Sequence, residues 1–528
     1  MEIHMDVLEF LLYLLLQGQA VDAETILGAG KAAHDNPAGK AIGDTLKDRA
    51  QIQQFLATRP PLLWADQTEV EHDAELARAW RARTTANRRI LQDANGDDDN
   101  AIMHLLPGPT AWCDDSLATN MGGGGRCEYD GEMLQRHYFP AEQSRCFRYD
   151  AAAGGWPDAL LARKQVWSDN NKTIVVPNDE NWIIQGALGP DGVPVKLDAR
   201  LSSGSAVDFS EASIVVRHVR FSGQTAPLDP HAAARDYNQA LISNPYFSGG
   251  ETRLGGAFSY EGGGLNPEVH TPKLVFEHVV FDRNHAISAA AVWIAGRIHT
   301  MSSLELVVDG CLLFRNTAVY TSSGFSVYNI MPGVHLMNNT EFVGGSAYAL
   351  PAPVLFHVID SKVGVEGRRN TYMVTNSHVD GGGVPRSYSI SGIALATNNA
   401  AFADGSIYEA IFERVTVVDI DSLQLASPLF CGGNGLVKTH CLIRDCHVAR
   451  VVGIKSDLES DKIYSDWHSI AISIWNPSTI EISRLTLEDS GSFADGSRGT
   501  GALTFLRAAP RRICADCSHS QVDWRWED

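Results

Sequence analysis

Long apolar runs are missing from this chain. The most hydrophobic stretch, Val7 to Leu16, is ten residues long, whereas a helix needs about 20 residues to cross a bilayer, so no transmembrane span is expected. Its length fits the core of a secretory signal peptide over residues 1–20, with Gly18 and Ala20 as small residues at the cleavage positions. Glu2 and Asp6 stand where a basic start is usual, and the alternative is an ordinary N-terminal helix. Positive charge is also scarce: 43 Lys and Arg face 63 Asp and Glu, a formal charge of −20. That balance, with no local run of Lys and Arg, excludes nucleic acid and anionic membrane as partners. An acidic glycan would need a bridging cation, for which Ca²⁺ is the candidate; no other cofactor is expected. The run Gly122–Gly125 lacks the Lys and Ser of a phosphate-binding loop.

Cysteines are few and odd in number. The nine fall into an early trio (Cys113, Cys127, Cys146), a middle set (Cys311, Cys431, Cys441, Cys446) and a terminal pair (Cys514, Cys517). The early trio and the terminal pair are the disulfide candidates, in keeping with secretion, although spacing fixes no connectivity. In CLIRDCHV the alternation reads as a strand whose cysteines pack as small apolar residues. Two sequons, at Asn171 and Asn338, are glycosylation candidates on a secretory route.

Helical periodicity is confined to residues 21–100. There Thr68-x-x-Glu71 makes a capping box, and Val70, Ala74, Ala77, Trp80, Thr84 and Leu91 follow a 3.6-residue period. This helix is expected to lie on another surface as a cap or lid. Residues 101–171 are turn-rich and cysteine-containing, a connector or cap. From Lys172 the text changes to short β-branched runs broken by Gly, Asn, Asp and Ser: KTIVVPNDENWIIQG, VPVKLDA, SAVDFS, SIVVRHVRFSGQTA.

Those runs repeat. VRFSGQTA at Val219, VVFDRNHA at Val279, LLFRNTA at Leu312 and TEFVGGSA at Thr340 share apolar residues, a Phe, a polar turn and a small residue. Aligned on Phe221, Phe281, Phe314 and Phe342, the first interval is twice the others, leaving room for two coils or one coil with an insertion. Later segments near Tyr372, Val415, Cys441 and Leu485 keep the rhythm without Phe. Parallel α/β crossovers need a helix of a dozen or so residues, and none stands between these strands. An antiparallel sandwich remains an alternative.

The reading favoured is an all-β fold, a right-handed parallel β-helix or solenoid over residues 172–507, of about a dozen uneven coils. Stacking at about 4.8 Å per coil pairs the strand backbones and buries Val, Ile, Leu and Phe in one column. Open ends are sticky edges, so the helical segment and the tail, residues 508–528, are expected to act as caps. In the turns Asp282-Arg283-Asn284 and Arg315-Asn316, Asn is expected to stack in a hydrogen-bonded ladder or adopt a left-handed conformation.

The onset WIIQGALG, VKLDA, SAVDFS and SIVVRHVRFSGQTA resembles pectin-lyase-like β-helices. The Phe281-x-x-Asn284 turn and Gly255-Gly256-Ala257-Phe258 resemble the repeats of polymorphic outer membrane protein-like surface β-helices. That resemblance implies a β-helix on a cell surface, here without the C-terminal membrane barrel of the bacterial members. It also implies a fold that often hosts polysaccharide lyases and glycosidases, so sites must be sought on residues.

A lyase needs a base beside a cation or Arg. Asp419 and Asp421, two apart in VVDIDS and so on one side of an extended strand, form the best carboxylate pair, with Arg444, Lys455 and His468 following in later coils. Paired aspartates at strand ends also serve turns and solvent, and no polygalacturonase-like set of motifs occurs. Asp93, Asn95, Asp97 and Asp99 place oxygen ligands on alternate residues, as calcium loops do, but no closing Glu follows. Cys514-x-x-Cys517 is half of a zinc motif without its second pair. The function expected is therefore a secreted or surface structural or adhesive protein whose partners are other subunits of an extracellular assembly or surface glycans. A polysaccharide lyase and a non-catalytic carbohydrate-binding module are the alternatives.

Overall fold

In a computed structural model the structure describes residues 67–93, 144–168, 171–204, 208–225, 255–264, 270–296, 303–328, 334–346, 354–359, 369–382, 392–398, 407–422, 428–433, 438–454, 472–475, 479–488, 491–493, 503–506 and 518–519. The fold is all-β, built on three long sheets that the chain visits in rotation. Each pass adds one strand to each sheet. The first sheet runs from Ser144–Arg148 through Asn181–Gln185, Ile214–Arg217 and Lys273–Glu277 to Thr479–Ser483. The second runs from Val195–Lys196 through Val219–Ser222 and Val280–Asp282 to Ser518–His519, and the third from Lys164–Ser168 to Leu503–Leu506. Pairing within them is parallel, except where Lys164–Ser168 runs antiparallel to Asn171–Val176 at the start of the third sheet. The stack thus takes in strands on both sides of residues 172–507.

One corner explains why the chain folds this way. Between the first and second sheets it turns on a single left-handed residue: His218, His278, Gly310, Asn339, Asn376, Arg414, Asp445 and Arg484 all have φ between 47° and 61°. Left-handed φ is costly for residues other than Gly, less so for Asn and Asp, so its recurrence marks a position the stack imposes. Around it the pattern is constant. Two residues before the turn lie Val216, Phe276, Val308, Met337, Val374, Phe412, Ile443 and Ile482, and three after it Phe221, Phe281, Leu313, Phe342, Val379, Val417, Val448 and Leu487, all in one buried core. Burial of this apolar column supplies the main driving force, at about 25 cal/mol per Å².

The residue just after the turn points inward and closes it. Cys311 Sγ donates to Asp309 O at 3.5 Å and Cys446 Sγ to Arg444 O at 3.3 Å. Thr340 Oγ1 and Ser377 Oγ make the same bond to Asn338 O at 3.0 Å and Thr375 O at 2.7 Å. The cysteines therefore pack as small apolar residues and also serve as weak donors. Burial pushes both thiols up to about 12, so they are inert.

Two expected ladders are present. Phe221 and Phe281 stack at 5.7 Å and pair directly, so the long interval is one coil with an insertion. Asn284 Nδ2 donates to Asn316 Oδ1 at 3.0 Å, and Asn316 Nδ2 to Phe281 O at 2.9 Å. Phe314 departs from the expected alignment: Phe281 is in register with Leu313, and Phe314 with Asp282. A one-residue slip sends a side chain to the opposite face of a strand, and Phe314 lies outside the core column. That register also puts Asn316 in line with Asn284.

The helix Glu69–Asp93 has the expected capping box, Thr68 Oγ1 accepting from Glu71 N at 3.3 Å and Glu71 Oε2 accepting from Thr68 N at 3.0 Å. It does not cap an end. Leu76, Ala77 and Trp80 pack on Val193, Val280, Leu312 and Phe314, across successive coils on the outer face of the second sheet. The N-terminal end is instead filled by Phe147 and Leu160, with Trp156 against them.

Candidate functional site

The outer face of the second sheet carries both the helix and the aspartate highlighted by the sequence. On a pleated strand alternate residues share a face. Flanking the inward Phe281, Val280 and Asp282 point outward, and the rows they belong to continue through Leu312 and Phe314, Glu341 and Val343, His378 and Asp380, Thr416 and Val418.

Under the helix these rows hold one buried carboxylate. Asp282, 0 % exposed, accepts from His72 Nε2 at 2.7 Å, Ser222 Oγ at 2.7 Å, and Arg220 Nη2 at 2.7 Å and Nε at 3.2 Å. Arg220 also reaches Asp73 Oδ1 at 2.7 Å. Around this centre Arg283 holds Glu69 with two bonds, at 2.8 and 3.2 Å, and Arg315 holds Glu75 and Gln67, both at 2.5 Å. Burial pushes the Asp282 carboxyl up, but the His72 hydrogen bond, the Arg220 charge and Ser222 more than offset it and bring it down to about 2. A carboxylate saturated in this way is a structural anchor, since its lone pairs are committed to donors.

Beside Arg83 of the helix the face becomes titratable, and past it more open. Burial pushes the Glu341 carboxyl up to about 7, with Arg83 pulling the other way. Burial lowers His378, against the nearby Asp380 and Asp419 charges. Asp419 itself has φ 56°, so the strand Thr416–Ser422 is not extended there and the alternation that would place Asp419 and Asp421 on one side is interrupted. Arg450, also left-handed at φ 52°, donates Nε and Nη2 to the two Asp419 oxygens, both at 2.6 Å. Those hydrogen bonds hold the Asp419 carboxyl below the usual carboxylate range, which makes it a poor general base. The next corner repeats the device: Arg484 grips both Asp445 oxygens, with Nη2 to Oδ2 at 2.7 Å.

Arg444 is not brought to Asp419. It aligns with Glu413, ahead of the corner, and its Nη2 lies 3.3 Å from Glu481 Oε1. Lys455 and His468 lie outside the described residues, as do Asn95, Asp97, Asp99, Cys113, Cys127, Cys514 and Cys517; Asp93 is the last residue of the helix. Among the described residues no three His, Cys, Asp or Glu side chains gather as a metal site. Asn171 begins a third-sheet strand. Asn338 is 9 % exposed; its Nδ2 donates to Asp309 at 2.9 Å while its Oδ1 accepts from Thr375 and Asn376, which places it within a polar ladder. Cys146 is a half-buried free thiol.

Sequence reading missed the bond between Cys431 and Cys441, whose Cα atoms lie 6.3 Å apart. It joins Leu429–Gly433 of the third sheet to Lys438–Arg444 of the first, inside the core. Both cysteines occupy inward positions that on the preceding coil hold Leu395 and Ala410; alternation in CLIRDCHV marked Cys441 as buried, but nothing marked Cys431 as its neighbour. Among the described residues no helix is long and apolar enough to cross a membrane. Comparison with protein-family models, curated proteins and solved structures found no match, so nothing but the chain's own residues identifies its superfamily or its chemistry.

Proposed function

We propose that this chain is a right-handed parallel β-helix that works as a secreted or cell-surface structural element, contributing its lateral faces to an extracellular assembly. Rotation through three parallel sheets supports the solenoid, and right-handed winding follows the strong preference of parallel crossovers. The buried Cys431–Cys441 bond fits an oxidising compartment.

The observation that carries the functional reading is the use made of the outward carboxylates. Asp282, Asp419 and Asp445 are each matched to an arginine on a neighbouring coil or to the helix, so the charges tie coils together rather than facing a substrate with a free base. Two measurements test it. Sedimentation of the purified protein is expected to show concentration-dependent association, and a strictly monomeric particle counts against the reading. Incubation with pectate or alginate, with and without Ca²⁺, is expected to give no unsaturated product; turnover that disappears in Asp419→Ala would establish a lyase instead.

A further inference from the structure

We infer that the strand Lys164–Ser168 is a self-pairing edge, through which two copies of this chain join about a two-fold axis. It ends the third sheet and, among the described residues, has a neighbour on one side only. Consecutive residues point to opposite faces of a strand, yet Gln165 and Val166 are both exposed, Val166 by 64 %. Next to it Val175 is 41 % exposed. Among the described residues, two of the few large apolar side chains left in solvent therefore sit on this one hairpin.

An exposed strand with unpaired backbone groups is a template for another strand. The elsewhere parallel order ends here on an antiparallel strand, and the sequence KQVWS favours a symmetric copy as its occupant. In antiparallel register about Val166, Lys164 faces Ser168, so the strand's one charge avoids its twin; a parallel arrangement would set Lys164 against Lys164. The neighbouring cation is already neutralised, Lys172 Nζ lying 2.6 Å from Asp198. A two-fold contact is closed and yields a dimer, not a fibre. The register shift between Val166 and Ser168 keeps the flat ladder short, so the dimer is weak, in the class of small transient interfaces.

This inference rests on the assembly reading, and one experiment separates them. Val166→Cys in the full chain is oxidised mildly and run on non-reducing gels, beside wild type and Val334→Cys, whose Val334 is also exposed, at 41 %, on the first sheet. Cross-strand positions lie within disulfide reach, so Val166→Cys is expected to give predominantly dimer and the controls little. In parallel, Val166→Lys sets two like charges face to face and is expected to weaken association in sedimentation by roughly tenfold. Equal crosslinking of the two cysteine variants, or association indifferent to Val166→Lys, overturns the edge while leaving assembly through another face. Wild-type protein that stays monomeric at every concentration overturns both.

Discussion

Asp282 and Asp419 stand on the same sheet, at nearly the same place in their coils, and do different physical work. Asp282 lies beneath a helix, fully buried, with four donor contacts. Asp419, 43 % exposed, meets one arginine that is itself 54 % exposed. A buried ion pair is weak evidence of net stability, but removing one partner strands the other charge away from water. An exposed pair is screened and contributes little. The covered and open halves of one face should therefore respond very differently to the same substitution.

The largest difference expected is in Asp282→Ala. It leaves His72 without its carboxylate and Arg220 with only the half-exposed Asp73, and should cost about 3–5 kcal/mol, read as a lower urea midpoint and faster proteolysis of the helix; a cost like that of Asp419→Ala erases the distinction. Acid should reproduce part of the effect. Asp282 titrates at about 2 in the folded chain against about 3.9 unfolded. Its contribution of roughly 2–3 kcal/mol is thus full above about pH 4 and lost as the pH falls towards 2. Glu341 has the opposite sign: raised to about 7, it favours the folded state most below its unfolded value and loses that contribution as the pH rises through 7. Stability measured across pH 2 to 8 in wild type and Glu341→Gln separates the two.

Next in size, replacing Cys431 and Cys441 together by Ser should cost roughly 2–4 kcal/mol, as expected for a bond closing a 10-residue separation. Thermal melts under non-reducing conditions would register it. Smaller still, Cys311→Ser, which keeps a donor for Asp309 O, should be milder than Cys311→Ala by about 1 kcal/mol. Its thiol should react with iodoacetamide only on unfolding. Smallest is Arg450→Ala, below about 1 kcal/mol and vanishing in high salt. A larger value would mean that the open half is held together as tightly as the covered one.

Much of the fold was legible because stacking forces a repeat. The strands, the Phe and Asn ladders and the capped helix follow from local pattern alone. Phe314 shows where that fails: an alignment anchored on the most conspicuous residue chose Phe314, whereas the stack aligns Leu313 with Phe281. The better signal was the corner itself, in VFEHVVF, MNNTEF, VTNSHV, FERVTV and IRDCHV, where inward residues keep fixed distances from a single left-handed residue. The position of the helix was illegible for a different reason. Its apolar stripe demanded a partner, but the face that received it owes its character to Val280 from one coil and Leu312 and Phe314 from the next. Asp419 and Asp421 read as a pair on one side of the strand because a left-handed turn looks like one more strand residue until the coils on either side are in place.

That single-residue corner divides the molecule into a ruler and a margin. Along it every coil from His218 onward spends the same number of residues, so side chains at equivalent positions fall into rows with one spacing. From Ser222 to Phe258 or from Ser422 to Leu429, the return path to the third sheet is free to be long or short. Sequence can be inserted there without moving any row out of line, which makes that side the natural place to graft a foreign loop and the corner the natural place to print a pattern.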